Sequence, residues 1–264
     1  MSLPPFLADL PADRPALIGV VHLEPLPGAP RARLPLEETI GLAVRDALAW
    51  REGGADAVLV ENFGDFPFFP GAVPPETVAA VTAAARAVRE ATGLPLGVNV
   101  LRNDGESALA AAVAAGGSFL RVNVLTHASL TDQGTVEGIA HRLLRKRRAL
   151  GADTAILADL LVKHAVPLAP IDPEDAYRDL VERGGADGVI LTGRATGAPA
   201  DPAFAERIAA LGETPLFVGS GITPESVPSF APSVRGMIVG SWVKREGRVD
   251  RDRVRELARA VGAV

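Results

Sequence analysis

Eight short runs rich in β-branched residues are spaced along the chain, and a helical pattern follows each of them. The runs fall at 16–23 (ALIGVVHL), 57–62 (AVLVEN), 95–100 (PLGVNV), 119–124 (FLRVNV), 155–160 (AILADL), 188–193 (GVILTG), 215–220 (PLFVGS) and 236–241 (GMIVGS). Each is short and apolar enough to be a buried parallel strand. The helical patterns cover 36–52, 75–92, 106–115, 135–150, 173–183, 202–211 and 251–261, with a short one after Ser220 that stops near Pro228. Proline stands near several of their starts and glycine just past several ends, the usual helix asymmetry. Eight strands alternating with eight helices predict an α/β fold of the (β/α)8 TIM-barrel type. An open doubly wound sheet is the alternative, but HLEPLPGAP after the first strand lacks the G-x-G-x-x-G turn of that fold. Residues 1–15 read as an N-terminal extension and 16–264 as a single barrel domain.

A chain of 264 residues with 48% hydrophobic content can bury such a core. Aromatic residues are only 5%, so the filling is Ala, Val and Leu. The segments REGGADAVLVEN and ERGGADGVILTG lie about half a chain apart and feed the second and sixth strands. LGAD before the fifth strand repeats the same turn, so GGAD reads equally as a recurrent helix-to-strand turn.

A net charge of −5 argues against general nucleic-acid binding. The run RLLRKRR at 142–148 falls at a helix end, where cations oppose the dipole. There is no cysteine, hence no disulfide, thiolate metal site or cysteine nucleophile. The first fifteen residues lack the pattern of a secretory signal, and no apolar run reaches the length of a membrane span. A cytoplasmic protein without membrane insertion is expected.

In such a barrel the active site lies at the C-terminal ends of the strands. Those ends carry His22 and Glu24, Glu61 and Asn62, Asn99 with Arg102 to Asp104, Arg121 and Asn123, Asp159 with Lys163 and His164, then Thr192, Arg194 and Thr196. Strand alternation puts Glu61, Arg121, Asn123 and Asp159 on inward faces. Glu61 and Asp159 are the expected acid/base pair. Arg121 is expected to neutralise an anionic group or hold an oxyanion. Asn99 and Asn123 would orient hydroxyls, and His22 joins this catalytic group. Lys163 reads more readily as a loop residue than as a Schiff-base lysine. His22 and Glu24, with Glu61 or Asp159, offer ligands for a divalent metal, but no fixed spacing supports one and no cofactor is assigned.

VGSGITPESV, after the seventh strand, is the sharpest motif. Loops after strands seven and eight of many barrels bind phosphate through backbone N–H groups. Here they are Gly219-Ser220-Gly221 and Gly240-Ser241, with Gly193 as a third wall. Glycine lets backbone approach a phosphate without an intervening side chain. A second feature is NFGDFPFFPGAVPP, which holds four of the nine phenylalanines, from Phe63 to Phe69. Such a loop suits a lid, a subunit interface or the pocket of a flat ligand group, and interface or lid is favoured over plain packing.

IGVVHLEPLPGAP, ADAVLVENFGDFPF, GVNVLRND, FLRVNV and VGSGIT, in that order, resemble the BtpA family over nearly the whole chain. The resemblance implies a barrel like the ribulose-phosphate-binding barrels, with phosphate held at Gly219, Ser220, Gly221, Gly240 and Ser241. It also implies the family's association with photosystem I stability in phototrophs. Phosphoribosylanthranilate isomerase uses a cysteine base on its first strand, which this chain lacks. A phosphorylated small molecule is therefore the expected ligand, with isomerisation, aldol-type cleavage or hydrolysis open. A non-catalytic assembly factor acting through protein contacts is the competing expectation, and a homo-oligomer is expected under either.

Overall fold

The computed structural model describes residues 4–162, 164–193 and 200–264. Its centre is a closed parallel barrel of β1 (Ala16–His22), β2 (Ala57–Glu61), β3 (Leu96–Asn99), β4 (Phe119–Val122), β7 (Ala155–Leu160), β9 (Gly188–Leu191), β10 (Leu216–Val218) and β11 (Gly236–Val239). These are the eight expected strands. The order runs β1-β2-β3-β4-β7-β9-β10-β11 and returns to β1. Closure excludes the doubly wound alternative.

The outer layer contains α2 (Leu36–Gly53), α3 (Pro75–Thr92), α4 (Gly105–Ala115), α5 (Ala140–Ala149), α6 (Pro173–Arg178), α7 (Pro202–Ala209), α8 (Val227–Phe230) and α9 (Arg251–Val261). Sequence dictates many of their ends. The Asp104, Asp172, Asp201 and Asp250 carboxylates accept from first-turn N–H groups of α4, α6, α7 and α9. Gly54, Gly93, Gly116 and Gly262 take left-handed conformations at helix C-termini.

Strand alternation divides the core in two. Val58, Val60, Leu120 and Val122 face the helices. Ile18, Leu59, Phe119, Leu157, Ile190, Phe217 and Ile238 fill the barrel interior. Gly97 makes room for the largest of these, since a Cβ there would lie 2.2 Å from the Phe119 ring. The expected N-terminal extension contributes to the same interior. Phe6, Leu7 and Leu10 are buried in it, and Phe6, in the short helix α1 (Pro5–Ala8), stacks on Phe119 at 4.3 Å. Phe119 opens β4, so α1 closes the end of the barrel opposite the strand C-termini.

The repeated turn has a structural use. Asp56 accepts from Leu17 N–H at 2.8 Å and pairs with Arg14, and Asp187 accepts from Ile156 N–H at 2.8 Å and pairs with Arg147. Each aspartate thus anchors the start of a neighbouring strand.

The helix expected at 135–150 is shorter than its pattern. It starts at Ala140, and the preceding residues form β6 (Gly134–Glu137), hairpinned with β5 (Ala128–Thr131). Gly134 at φ 94° makes the turn, and residues 134–137 pair back along β5 instead of coiling. β8 (Ala165–Pro167) pairs with β5 to complete a small antiparallel sheet on the strand-C-terminal side. A further short hairpin, β12 (Lys244–Arg245) and β13 (Arg248–Val249), precedes α9. Neither was legible as strand. The expected helix at 173–183 continues past α6 as a π-helical turn, Asp179–Arg183.

Candidate functional site

Strand register brings His22, Glu61 and Asn99 level on β1, β2 and β3. The Asn99 amide donates to Glu61 Oε2 at 2.6 Å, and His22 Nε2 lies 3.6 Å from Glu61 Oε1. On the far side of the ring, Lys244 Nζ stands 2.8 Å from His22 Nδ1. With Lys244 as an ammonium, which can only donate, Nδ1 accepts and the ring proton lies on Nε2, toward Glu61. Burial pushes the Lys244 ammonium below its ordinary pKa, against the pull of Asp46 and Glu61. Lys244 escaped the sequence reading because a hairpin outside the barrel delivers it.

A second constellation belongs to β4 and β7. Arg121 donates through Nε and Nη2 to both oxygens of Asp159, at 3.2 and 3.1 Å. The Asn123 amide donates to Asp159 Oδ2 at 2.6 Å. Burial opposes the Arg121 charge, but Asp159 and Glu61 outweigh it and hold its pKa above the ordinary value. The Asp159 carboxylate is therefore engaged on both oxygens. It stands behind Arg121 and Asn123, whereas the sequence pattern had offered it as half of an acid/base pair.

The third element is the backbone after β10 and β11. Gly219 runs past Arg121, and a Cβ there would meet Ile190 at 2.8 Å. A Cβ on Gly240 would meet the His22 ring at 2.8 Å. Gly221 has φ 69°, the left-handed region that favours glycine. Ser220 Oγ accepts from Gly193 N–H at 2.6 Å, so Gly193 braces the loop from behind. The Thr223–Ser226 turn closes on itself, with Ser226 Oγ accepting from Thr223 N–H at 3.0 Å.

The phenylalanine loop completes the enclosure. Asp65 accepts from Leu26 N–H at 2.8 Å, and Phe69 C=O accepts from Arg102 N–H at 3.0 Å, which tether the loop at both ends. Phe63 packs on His22 at 4.6 Å, and the Arg31 guanidinium lies 3.9 Å from the centre of the Phe66 ring.

These parts surround one cavity of about 960 Å³. His22, Glu61, Arg121 and Asn123 border it, together with Gly219, Ser220, Gly221, Gly240 and Ser241. Phe63, Phe66 and Phe68 form another part of its lining. Asn99 and Asp159 support from behind. Arg102 and His164, expected at strand ends without an assigned role, also border the cavity, as do Asp132 and Trp242, which the sequence did not point to. Burial lowers the Arg102 pKa, with Asp159 the largest opposing charge. Glu24 turns to Arg248 in an ion pair, away from the metal set in which it had been considered. Among the described residues no group of three or more His, Asp or Glu is arranged to hold a metal ion. Lys163, Arg194 and Thr196 lie outside the described residues.

The BtpA family matches residues 13–263. The chain belongs to the BtpA family. An uncharacterized protein of Pyrococcus furiosus is 47% identical over 247 residues, covering 92% of each chain. The photosystem I biogenesis protein BtpA of Synechocystis is 47% identical over 236 residues, 89% of this chain and 82% of that one. Among solved structures, N-(5'-phosphoribosyl)anthranilate isomerase of Pyrococcus furiosus superposes with a TM-score of 0.58 at 16% identity, over 95% and 100% of the chains. Tryptophan synthase of Mycobacterium tuberculosis gives 0.63 at 22%, over 94% and 93%. Both share the barrel, and at these identities the likeness is one of fold. Among the described residues no helix is long and apolar enough to cross a membrane.

Proposed function

We propose that this BtpA-family barrel is an enzyme that binds a phosphorylated small molecule and moves a proton on it. One observation carries the reading: the backbone of residues 219–223 and 240–241 opens into the same cavity as Glu61 and His22. Glycine-lined backbone after these two strands suits a phosphate. Glu61, oriented by Asn99, is the proton acceptor, and His22 Nε2–H is the donor beside it. Arg121 remains cationic and stabilises negative charge that develops on the substrate. Isomerisation, aldol-type cleavage and hydrolysis all draw on such a set. The barrel likeness to enzymes named for phosphoribosyl and thiamine phosphate compounds supports the phosphate.

The test is thermal stability against inorganic phosphate and a panel of phosphosugars. A ligand at a hundred times its Kd adds roughly 2.7 kcal/mol of stability, a rise of about 5–10 °C for a chain of this size. Gly221→Asp places a carboxylate in the phosphate loop and removes the rise. A folded protein that responds to no phosphorylated compound sinks the proposal.

A second reading, a non-catalytic assembly factor, is favoured by the Synechocystis relative's name as a biogenesis protein and by Phe69, whose side chain is 52% exposed on the phenylalanine loop. Under it, Phe69→Ser abolishes partner capture, and Glu61→Gln has no consequence.

A further inference from the structure

The cavity holds two features that a phosphate and a proton-transfer pair leave unused. The first is its aromatic lining. Phe63, Phe66 and Phe68 are half-buried and border the cavity. Phe66 meets Phe63 and Phe68 edge-on at 6.5 and 6.3 Å, so the rings form a braced surface. The Arg31 guanidinium over Phe66 fixes the middle ring. Exposed aromatic surface inside a polar mouth is the surface on which a planar group stacks.

The second feature is Asn123. The residue is 3% exposed, and its Oδ1 has no hydrogen-bond partner among the described residues. Its orientation is not arbitrary: Asp159 can only accept, so the amide nitrogen faces Asp159 and the oxygen is left over. A buried acceptor calls for a donor. A phosphate dianion has none to give, and a hydroxyl does. The cavity size agrees, because about 960 Å³ lies at the upper end of small-molecule sites and exceeds what a phosphosugar alone would fill.

We propose that the ligand is a phosphate monoester with a hydroxylated middle and a planar ring, the chemistry of a nucleoside monophosphate or a related ring-bearing phosphosugar. The phosphate lies on residues 219–223 and 240–241, a hydroxyl donates to Asn123 Oδ1, and the ring packs in the corner between Phe66 and Phe68, flat on one and edge-on to the other. This rests on the phosphate site proposed above and adds the other two thirds of the molecule.

Calorimetric titration of the full chain with ribose 5-phosphate, purine and pyrimidine nucleoside monophosphates, and their dideoxy counterparts tests it. At least one nucleoside monophosphate is expected to bind about tenfold more tightly than ribose 5-phosphate. Its dideoxy counterpart loses about tenfold by leaving Asn123 unsatisfied. The Phe66→Leu/Phe68→Leu variant erases the ring's advantage and keeps the ribose 5-phosphate affinity, which also reports that the variant is folded. Equal affinity for ribose 5-phosphate and every ring-bearing ligand overturns this proposal alone. A double variant that weakens all ligands alike overturns it too. No binding of any phosphorylated probe to the folded protein overturns the phosphate site together with it.

Discussion

At the residue scale, charge pairing decides which polar groups are available for chemistry. Asp159 and Glu61 look equivalent in the sequence, each a carboxylate on an inward strand face. The structure separates them, because Glu61 borders the cavity while Asp159 does not and is bound on both oxygens by Arg121 and Asn123. Asp159→Asn leaves a buried guanidinium without its ion partner, and urea unfolding is expected to show a loss of about 3–5 kcal/mol. Lys244 has the opposite history: invisible in the sequence, it stands 2.8 Å from His22 Nδ1, where as an ammonium it places the ring proton on Nε2. In Lys244→Met the donor to Nδ1 is gone, and nitrogen NMR of the His22 ring is expected to show loss of the single Nε2–H tautomer. An unchanged His22 spectrum would reject this positioning role. Asp46 offers a pH test. Burial holds its carboxyl above the usual range, against the Val249 N–H and nearby cations. The folded state therefore keeps this proton longer than the unfolded chain does. Its contribution favours folding most at acid pH and is lost as pH rises from the usual carboxylate range through the raised folded value. Relative to Asp46→Asn, the native chain should lose stability across that window in urea titrations.

At the element scale, the barrel strands were legible to within a few residues, and the errors have a common cause. The expected strands ran one or two residues past β2, β4 and β9, to Asn62, Val124 and Gly193. There the chain leaves the ladder to bring polar residues to the mouth. The small sheet of β5, β6 and β8 was missed because β5 and β8 come from distant parts of the chain, and the residues before α5 match a helical period by coincidence. The N-terminal plug was missed because four helical residues carry no period. Its packing is nonetheless specific. Phe6→Ala removes a ring stacked on Phe119 and is expected to cost about 3–5 kcal/mol, read by denaturant unfolding. Gly97→Ala pushes a methyl group into the same Phe119 ring and is expected to cost about 1–3 kcal/mol.

At the scale of the molecule, the N-terminal plug and the candidate site occupy opposite ends of one barrel. The plug lies at one end, and the glycine loops after β10 and β11, Glu61 and the phenylalanine loop lie at the other. Phe6→Ala should lower the melting temperature yet keep the ligand-induced rise, whereas Gly221→Asp should lose the rise. If Phe6→Ala removes both, the two ends are coupled and this division fails. Self-association, expected from the sequence, is read directly by light scattering, and a clean monomer rejects it. What the sequence determined by itself was the alternation of elements, the caps that end the helices, and the inward faces of the strands. These follow from local periodicity and from residues that act on their own neighbours. Only the tertiary structure decided which inward groups meet. The partners of Asp159, Ser220, Glu24 and His22 come from other strands and loops, and barrel closure sets those distances. Local sequence carries no record of them.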